Sequence, residues 1–405
     1  MKERKRLEQN LDYSKMTDQQ LIDLEHQYSN AAARFDSLQL AQKILMNSLY
    51  GALGAGSFRY FDLNLASSIT LSGQHAIKWI ERKLNELLDQ KTGFNKDRVV
   101  LIDTDSVVLE MDDMVKKFCP QHVDRETKLQ FIDRFGEAII HPYIEASYSE
   151  LADYMNAFEN RLRMKRENII NTMVSVAAKS YVMEVYNSEG VQYTLQDPYM
   201  KIMGLLLVKS STPAVIRDAL RNSLPILLHG TESDMQQYVD QVKKKFYNFP
   251  VEQIAFPRGI TNLSIYDRQV VLNQLNKTTD PQLRAKLEDS LNTATKQECY
   301  VKKTPVHVRG SLIYNMLLDR HGLTQQYKKI GDGDKVKFVY LKTPNPIKED
   351  CIAFQDNLPE QFGLNKYIDY DKMFTVAFLQ ALEKMIEPLK WSSTKKNDLS
   401  SLFKW

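Results

Sequence analysis

From Met1 to Tyr50 the chain contains neither glycine nor proline, and the first interruption is a trio of glycines at 51, 54 and 56. A run of that length with no flexible residue and no missing N–H donor has little choice but helix. Two polar stretches, Asp12 to Asp18 and Ser29 to Asn30, divide it into charged pieces, and the expectation is two antiparallel helices. The scarcity persists throughout, with 15 Gly and 13 Pro in 405 residues, which favours long helices elsewhere too.

Further along, Ile77, Ile80, Leu84 and Leu87 recur at helical spacing, and Gly93 supplies a stop. Val99 to Ile102 and Val107 to Leu109 are short apolar runs around the polar Asp103-Thr-Asp-Ser106, a hairpin pattern. Residues 125–160 return to helix, and 172–208 read as strands, with Val174, Val176, Tyr181, Met183 and Val185 at alternate positions and a turn at Ser188 to Gly190. Helix resumes at Pro213, breaks at Pro225 and restarts at Thr231, where Met235, Val239, Val242 and Phe246 form an apolar stripe. Residues 275–300 are polar and helical or linker-like, 300–355 mixed and strand-prone, and 367–387 a last amphipathic helix. The predicted class is α+β.

Composition narrows the function classes. With 43% hydrophobic and 26% charged residues and a mean hydropathy of −0.42, the chain is globular and of a size for two or three domains. No apolar run approaches the roughly 18–20 residues of a membrane span, and the start MKERKRLEQN does not read as a secretory leader. Cys119, Cys299 and Cys351 are far apart with no CxxC, which argues against a disulfide framework or zinc site and for a reducing cytosol. A net charge of +3 is too small to argue nucleic-acid binding by itself.

Two clusters could carry chemistry. Alternate side chains of an extended segment share a face at about 6–7 Å, so Asp103 and Asp105 could aim two carboxylates at one spot and hold oxygen-preferring divalent ions. Asp-x-Asp in a solvated turn is equally an ordinary surface feature. In KILMNSLYG, Lys43, Asn47 and Tyr50 fall on one helix face at offsets of four and seven residues. A cation, an amide and an aromatic ring in a row could bind a triphosphate and pack against its base or sugar. An amphipathic helix with a buried tyrosine would look the same.

Jointly the two clusters are far more specific. KxxxNSxYG followed after about fifty residues by DTDS resembles motifs B and C of family B DNA polymerases, most of all those of T-even-type bacteriophages. NSLYGALGAGSFRYFDLNLASSIT, AAKSYVMEVYNSEG, KIMGLLLVKSSTP, PVHVRGSLIY and NPIKEDCIAF continue the likeness in family order, so that nearly the whole chain is covered. The resemblance implies a helical fingers hairpin (1–56), a partial palm with antiparallel sheet that lacks motif A (57–204), a mostly helical thumb (205–390) and a flexible tail (391–405). It implies that Lys43 contacts the triphosphate, Asn47 lines the same helix, and Tyr50 and Gly51 lie beneath the nascent base pair. Arg4 resembles a further triphosphate-gripping arginine. Asp105 would be a direct ligand of two Mg²⁺ with Asp103 its acidic neighbour, both catalytic, and Glu167 in MKRENI an acid just beyond the direct ligands. Lys179 and Tyr181, on the family's KKRY element, with Lys201 in KIMG and Arg309 in HVRG, would hold primer–template DNA. The tail residues Leu399, Leu402, Phe403 and Trp405 resemble a peptide that binds a sliding clamp.

The family's DxxSLYPS segment, which carries a second essential metal ligand, is not found in these 405 residues, nor are exonuclease motifs. The expectation is therefore the carboxy-terminal subunit of a split replicative polymerase in the cytoplasm of an infected bacterium. It would share its two Mg²⁺ with an amino-terminal polymerase/exonuclease chain and use deoxynucleoside triphosphates, with no membrane partner. The rival reading is a non-catalytic, clamp-tethered DNA-binding protein derived from a polymerase. Smaller departures are Ala178-Lys179-Ser180-Tyr181 in place of KKRY, Ile102 and Val108 flanking DTDS, and Lys165 where the family has aspartate.

Overall fold

A capping box starts the first described helix: Thr17 Oγ1 accepts from the Gln20 N–H at 3.4 Å, and the Gln20 side chain accepts from the Thr17 N–H at 2.9 Å. Helix α1 (Asp18–Leu53) then runs for 36 residues in the computed structural model, which describes residues 16–120, 122–291 and 299–394. The break expected at Ser29 to Asn30 does not occur. Serine and asparagine cost only about 0.5 kcal/mol each inside a helix, too little to interrupt a stretch with no glycine or proline. Gly51 also lies within the helix, and the chain turns only at Gly54. No residue of α1 is buried, and Leu45 and Met46 are each 72% exposed.

The chain divides into two compact units, Met1–His122 with Arg134–Lys165, and Val123–Asp133 with Arg166–Trp405. The expected palm span, 57–204, is thus shared between both. In the first unit, Asp62 caps α2 (Leu63–Thr92), and Gly93 ends it in a left-handed conformation at φ 82°. Ile77, Ile80, Leu84 and Leu87 are buried, as their spacing predicts. Strands β1 (Val99–Asp103) and β2 (Ser106–Leu109) form the expected antiparallel hairpin, followed by α3 (Asp112–Phe118). Helix α4 (Arg125–Phe135) carries the chain through Asp133 of the second unit, and a π-helical turn (Gly136–Ile140) leads to α5 (His141–Tyr154). The first unit's core joins Ala76, Ile80 and Leu84 of α2 to Ile144, Tyr148 and Leu151 of α5, with Val107 and Leu109 of β2 packed against them.

The second unit opens with β3 (Asn168–Ala177), β4 (Ser180–Ser188), β5 (Val191–Gln192) and β6 (Tyr199–Met203), with β4 central, flanked by β3 on one side and by β5 and β6 on the other. Tyr181, Met183 and Val185 are buried as the alternation predicts, but so are Val182, Glu184 and Tyr186, because β4 is covered on both faces. Helices α6 (Ala214–Asn222) and α7 (Leu224–His229) meet at Ser223, two residues ahead of the expected break at Pro225, and Thr231 caps α8 (Glu232–Phe246) with a second capping box. All four residues of its apolar stripe are buried.

There follow β7 (Phe256–Gly259), α9 (Arg268–Lys277), α10 (Pro281–Leu291), α11 (Val306–Arg320), β8 (Lys335–Tyr340), β9 (Cys351–Phe354), α12 (Tyr370–Phe374) and α13 (Gln380–Ile386). Helix α11 corrects the strand-prone reading of 300–355. Val308, Leu312, Ile313, Leu317 and Leu318 lie on its buried face, and Gly310 lets it lie against β9, where a Cβ would come within 2.8 Å of Ala353 N. A large apolar core ties β7–β9 to α6, α8, α11, α12 and α13. Helices beside three local antiparallel sheets make this an α+β protein. Among the described residues no helix is long and apolar enough to cross a membrane.

Candidate active site

The hairpin β1–β2 closes through two residues, Thr104 and Asp105, between the paired Asp103 and Ser106. Thr104 takes a left-handed φ of 59°, which β-branched residues seldom adopt. The turn is held by its own bonds: Asp105 N–H donates to the Asp103 carbonyl at 2.7 Å, Ser106 Oγ to the same oxygen at 3.2 Å, and Thr104 Oγ1 to Asp103 Oδ1 at 3.3 Å. Asp103 is half-buried and Asp105 exposed.

What fixes this turn in space is apolar. Val107 and Leu109 anchor β2 on the α2–α5 core, and Tyr148 of α5 lies 5% exposed in that core. Burial pushes the Tyr148 phenol up, and the negative charge of Asp105 pushes it further. At the hairpin's base, the fully buried Arg98 binds the Asp89 carboxylate, donates to Thr92 Oγ1 at 2.9 Å and to the Lys96 carbonyl at 3.1 Å. Its own carbonyl accepts from Glu110 N–H at 2.8 Å. Strand β1 is thereby riveted to the end of α2.

Lys43, Asn47 and Tyr50 follow one another along α1, all exposed, and the Tyr50 hydroxyl lies 2.5 Å from Thr70 Oγ1 of α2. Among the described residues, no atom beyond its chain neighbours and the helix's own backbone lies within 4 Å of where a Cβ on Gly51 would stand.

In the second unit, two residues singled out for different reasons meet. Lys201 of β6 binds the Glu167 carboxylate at 3.1 Å, just ahead of β3. Lys179 lies in the β3–β4 turn at φ 59°, and Tyr181, one register step into β4, is buried at 6% exposure. Arg309, in the first turn of α11, binds Asp350, donates to Cys351 Sγ at 3.4 Å and stands 5.8 Å from the Tyr300 ring centre. Arg4, Leu399, Leu402, Phe403 and Trp405 lie outside the described residues.

Carboxylate oxygens on a turn are the donor set a hard divalent cation such as Mg²⁺ prefers. Asp103 and Asp105 fit it in part, since among the described residues no three His, Cys, Asp or Glu side chains gather at one place. Residues that motif reading passed over include Arg98, Tyr148 and Gly204, which follows β6. Only Gly204 carried a signal, as the glycine that ends the largely apolar stretch Tyr199 to Met203.

A hairpin-borne carboxylate pair thus lies downstream of a Lys–Asn–Tyr helix face, and residues 5–121, which include both, match the model of DNA polymerase family B. The DNA-directed DNA polymerase of Enterobacteria phage T4 is 31% identical over 404 residues, covering 96% of this chain and 41% of that protein. That of Escherichia phage RB69 is 30% identical over 380 residues, 90% of this chain and 38% of its own length. A DNA polymerase of Pyrococcus glycovorans is 26% identical over 229 residues, 56% of this chain and 24% of that protein. The chain spans about two fifths of the length of the two phage relatives.

Proposed function

We propose that this chain supplies part of the active site of a DNA-directed DNA polymerase, contributing fingers (1–56), palm (57–204), thumb (205–390) and a clamp-binding tail (391–405). The observation that carries this reading is the Asp103–Asp105 turn, held on an apolar core and downstream of the Lys43–Asn47–Tyr50 helix face, in a chain alike to the phage T4 polymerase over 96% of its length. Asp105 and Asp103 would hold Mg²⁺ together with a carboxylate contributed by family B sequence not found in these residues. When bound, two such ions offset the charge that builds as the primer 3′-hydroxyl attacks the α-phosphate and pyrophosphate leaves.

The remaining roles belong to side chains of the chain itself. Lys43 places a positive charge against the triphosphate, with Arg4 as its companion, and Asn47 lines the same face. The Tyr50 ring, steadied by Thr70, offers a flat apolar surface below the base pair, and the bare Gly51 leaves room beside it. Lys179, Lys201 and Arg309 serve the duplex backbone with contacts that read no sequence, as copying any template requires. Glu167 is the partner that orients Lys201. Leu399, Leu402, Phe403 and Trp405 would seat in a sliding clamp. The setting this implies is the cytoplasm of a phage-infected bacterium.

The test is primer extension with Mg²⁺ and all four deoxynucleoside triphosphates, by this chain alone and together with a polypeptide carrying the DxxSLYPS segment and exonuclease. Extension in the mixture, falling by at least about a thousandfold with Asp105→Ala, is the expected result for loss of a metal ligand. Full extension by the Asp105→Ala chain would refute the catalytic role of the hairpin. Duplex and clamp binding with no extension in any mixture would favour the non-catalytic reading.

A further inference from the structure

We propose that Gly204 is a positioning residue for the DNA-contacting turn that carries Lys179. The inference rests on the proposed reading of that turn as a duplex contact. Strands β3 and β4 are joined at Ala177 and Ser180, leaving Ala178 and Lys179 as the turn. On the other flank of β4, Tyr181 pairs with Met203, the last residue of β6, so the chain leaves β6 beside this same turn. There Gly204 adopts φ 69°.

Two independent features demand glycine at this position. A side chain at that φ is strained wherever it occurs. In addition, an ideal Cβ on Gly204 would sit inside the van der Waals envelope of the Lys179 carbonyl oxygen, 2.5 Å from Ser180 Oγ and 3.0 Å from Ser180 Cα. The backbone of Gly204 is therefore the surface on which the turn rests. The oxygen it meets belongs to Lys179 itself, so a methyl group there must push the lysine's own peptide away. Gly190, at the opposite end of β4, also has positive φ, at 90°, yet among the described residues nothing beyond its chain neighbours lies within 4 Å of its absent Cβ. The two glycines share the backbone strain and differ in the contact.

That difference supplies the test. Binding of a fluorescent primer–template duplex by the full chain is measured by anisotropy from low to moderate salt, for the unsubstituted chain and for Gly204→Ala, Gly190→Ala, Lys179→Ala and the Lys179→Ala/Gly204→Ala pair. Gly204→Ala is expected to weaken binding roughly fivefold and to flatten the slope of log affinity against log salt by about one, the signature of one lost phosphate contact. Gly190→Ala should keep both within error. In the Lys179→Ala background, Gly204→Ala should add nothing.

Wild-type affinity and slope in Gly204→Ala, alongside weakened Lys179→Ala, would overturn the role of Gly204 while leaving the DNA reading intact. Additive losses in the pair would also overturn it, because Gly204 would then act through the fold at large. An unchanged Lys179→Ala would instead remove the DNA reading of the turn. If Gly204→Ala lacks a cooperative melting transition, Ser180→Thr crowds the same contact with the Gly204 backbone untouched, and the same losses are expected of it.

Discussion

Glu349 lies 5% exposed in the second unit, where its carboxylate accepts the Tyr300 hydroxyl at 3.0 Å and 3.3 Å. Burial pushes its pKa up, while the Tyr300 hydrogen bond and the Arg309 charge hold it down and Asp350 raises it again. A carboxyl whose folded pKa is raised binds its proton more tightly folded than unfolded. Its contribution to stability is therefore complete below the ordinary glutamate range and is lost as pH rises through the raised value. Glu349→Gln keeps an oxygen for Tyr300 and removes the charge. Its melting temperature should exceed that of the unsubstituted protein at pH 8 and match it near pH 4, and the reverse order at pH 8 would refute the account. Nothing in the local sequence marks Glu349 as buried. In contrast, Thr17, Asp62, Gly93 and Thr231 are legible as helix ends, because a cap depends only on its own few neighbours.

Helices α1 and α2 are similar in length and opposite in stabilisation. Helix α2 buries Ile80, Leu84 and Leu88 completely, whereas α1 has no buried residue along 36 positions. Replacing Leu84 by alanine removes packed apolar volume and should cost about 2–5 kcal/mol. Leu45→Ala, at a site 72% exposed, should change stability by less than about 0.5 kcal/mol. Denaturant unfolding followed by circular dichroism checks both, and a Leu45→Ala loss comparable to that of Leu84→Ala would mean that α1 is held by burial after all. The regular apolar spacing of α2 and α8 announced their buried faces. Helix α11 escaped detection because its neighbours Tyr300, Val301 and Val336 to Tyr340 are strand-like in composition, and only packing against β9 decides where helix begins.

At the scale of the molecule, each unit has an apolar core of its own, α2 with α5 in one and the sheet β7–β9 with its helices in the other. Scanning calorimetry is expected to resolve two transitions, with Leu84→Ala lowering one and Phe378→Ala, at a fully buried position of the second unit's core, lowering the other. One transition shifted equally by both would show that the units unfold together. The class of the fold, the helix ends at Gly93 and Thr231, the hairpin at Asp103 to Ser106 and the family resemblance could all be read from the sequence. Each is encoded within a few residues, by periodicity, by a cap, or by a motif spacing that survives divergence. Only the tertiary structure decided that Glu184 is buried on the central strand β4, its carboxylate 3.0 Å from His229 Nε2, and that Lys201 pairs with Glu167. The same holds for Arg98 riveting β1 to α2 and for Gly204 supporting the turn at Lys179. These contacts join residues from 9 to 45 positions apart, with Asp89 and Arg98 the nearest pair and Glu184 and His229 the farthest. Their energy depends on desolvation and on atoms brought together by packing, and neither quantity is a property of a local stretch of chain.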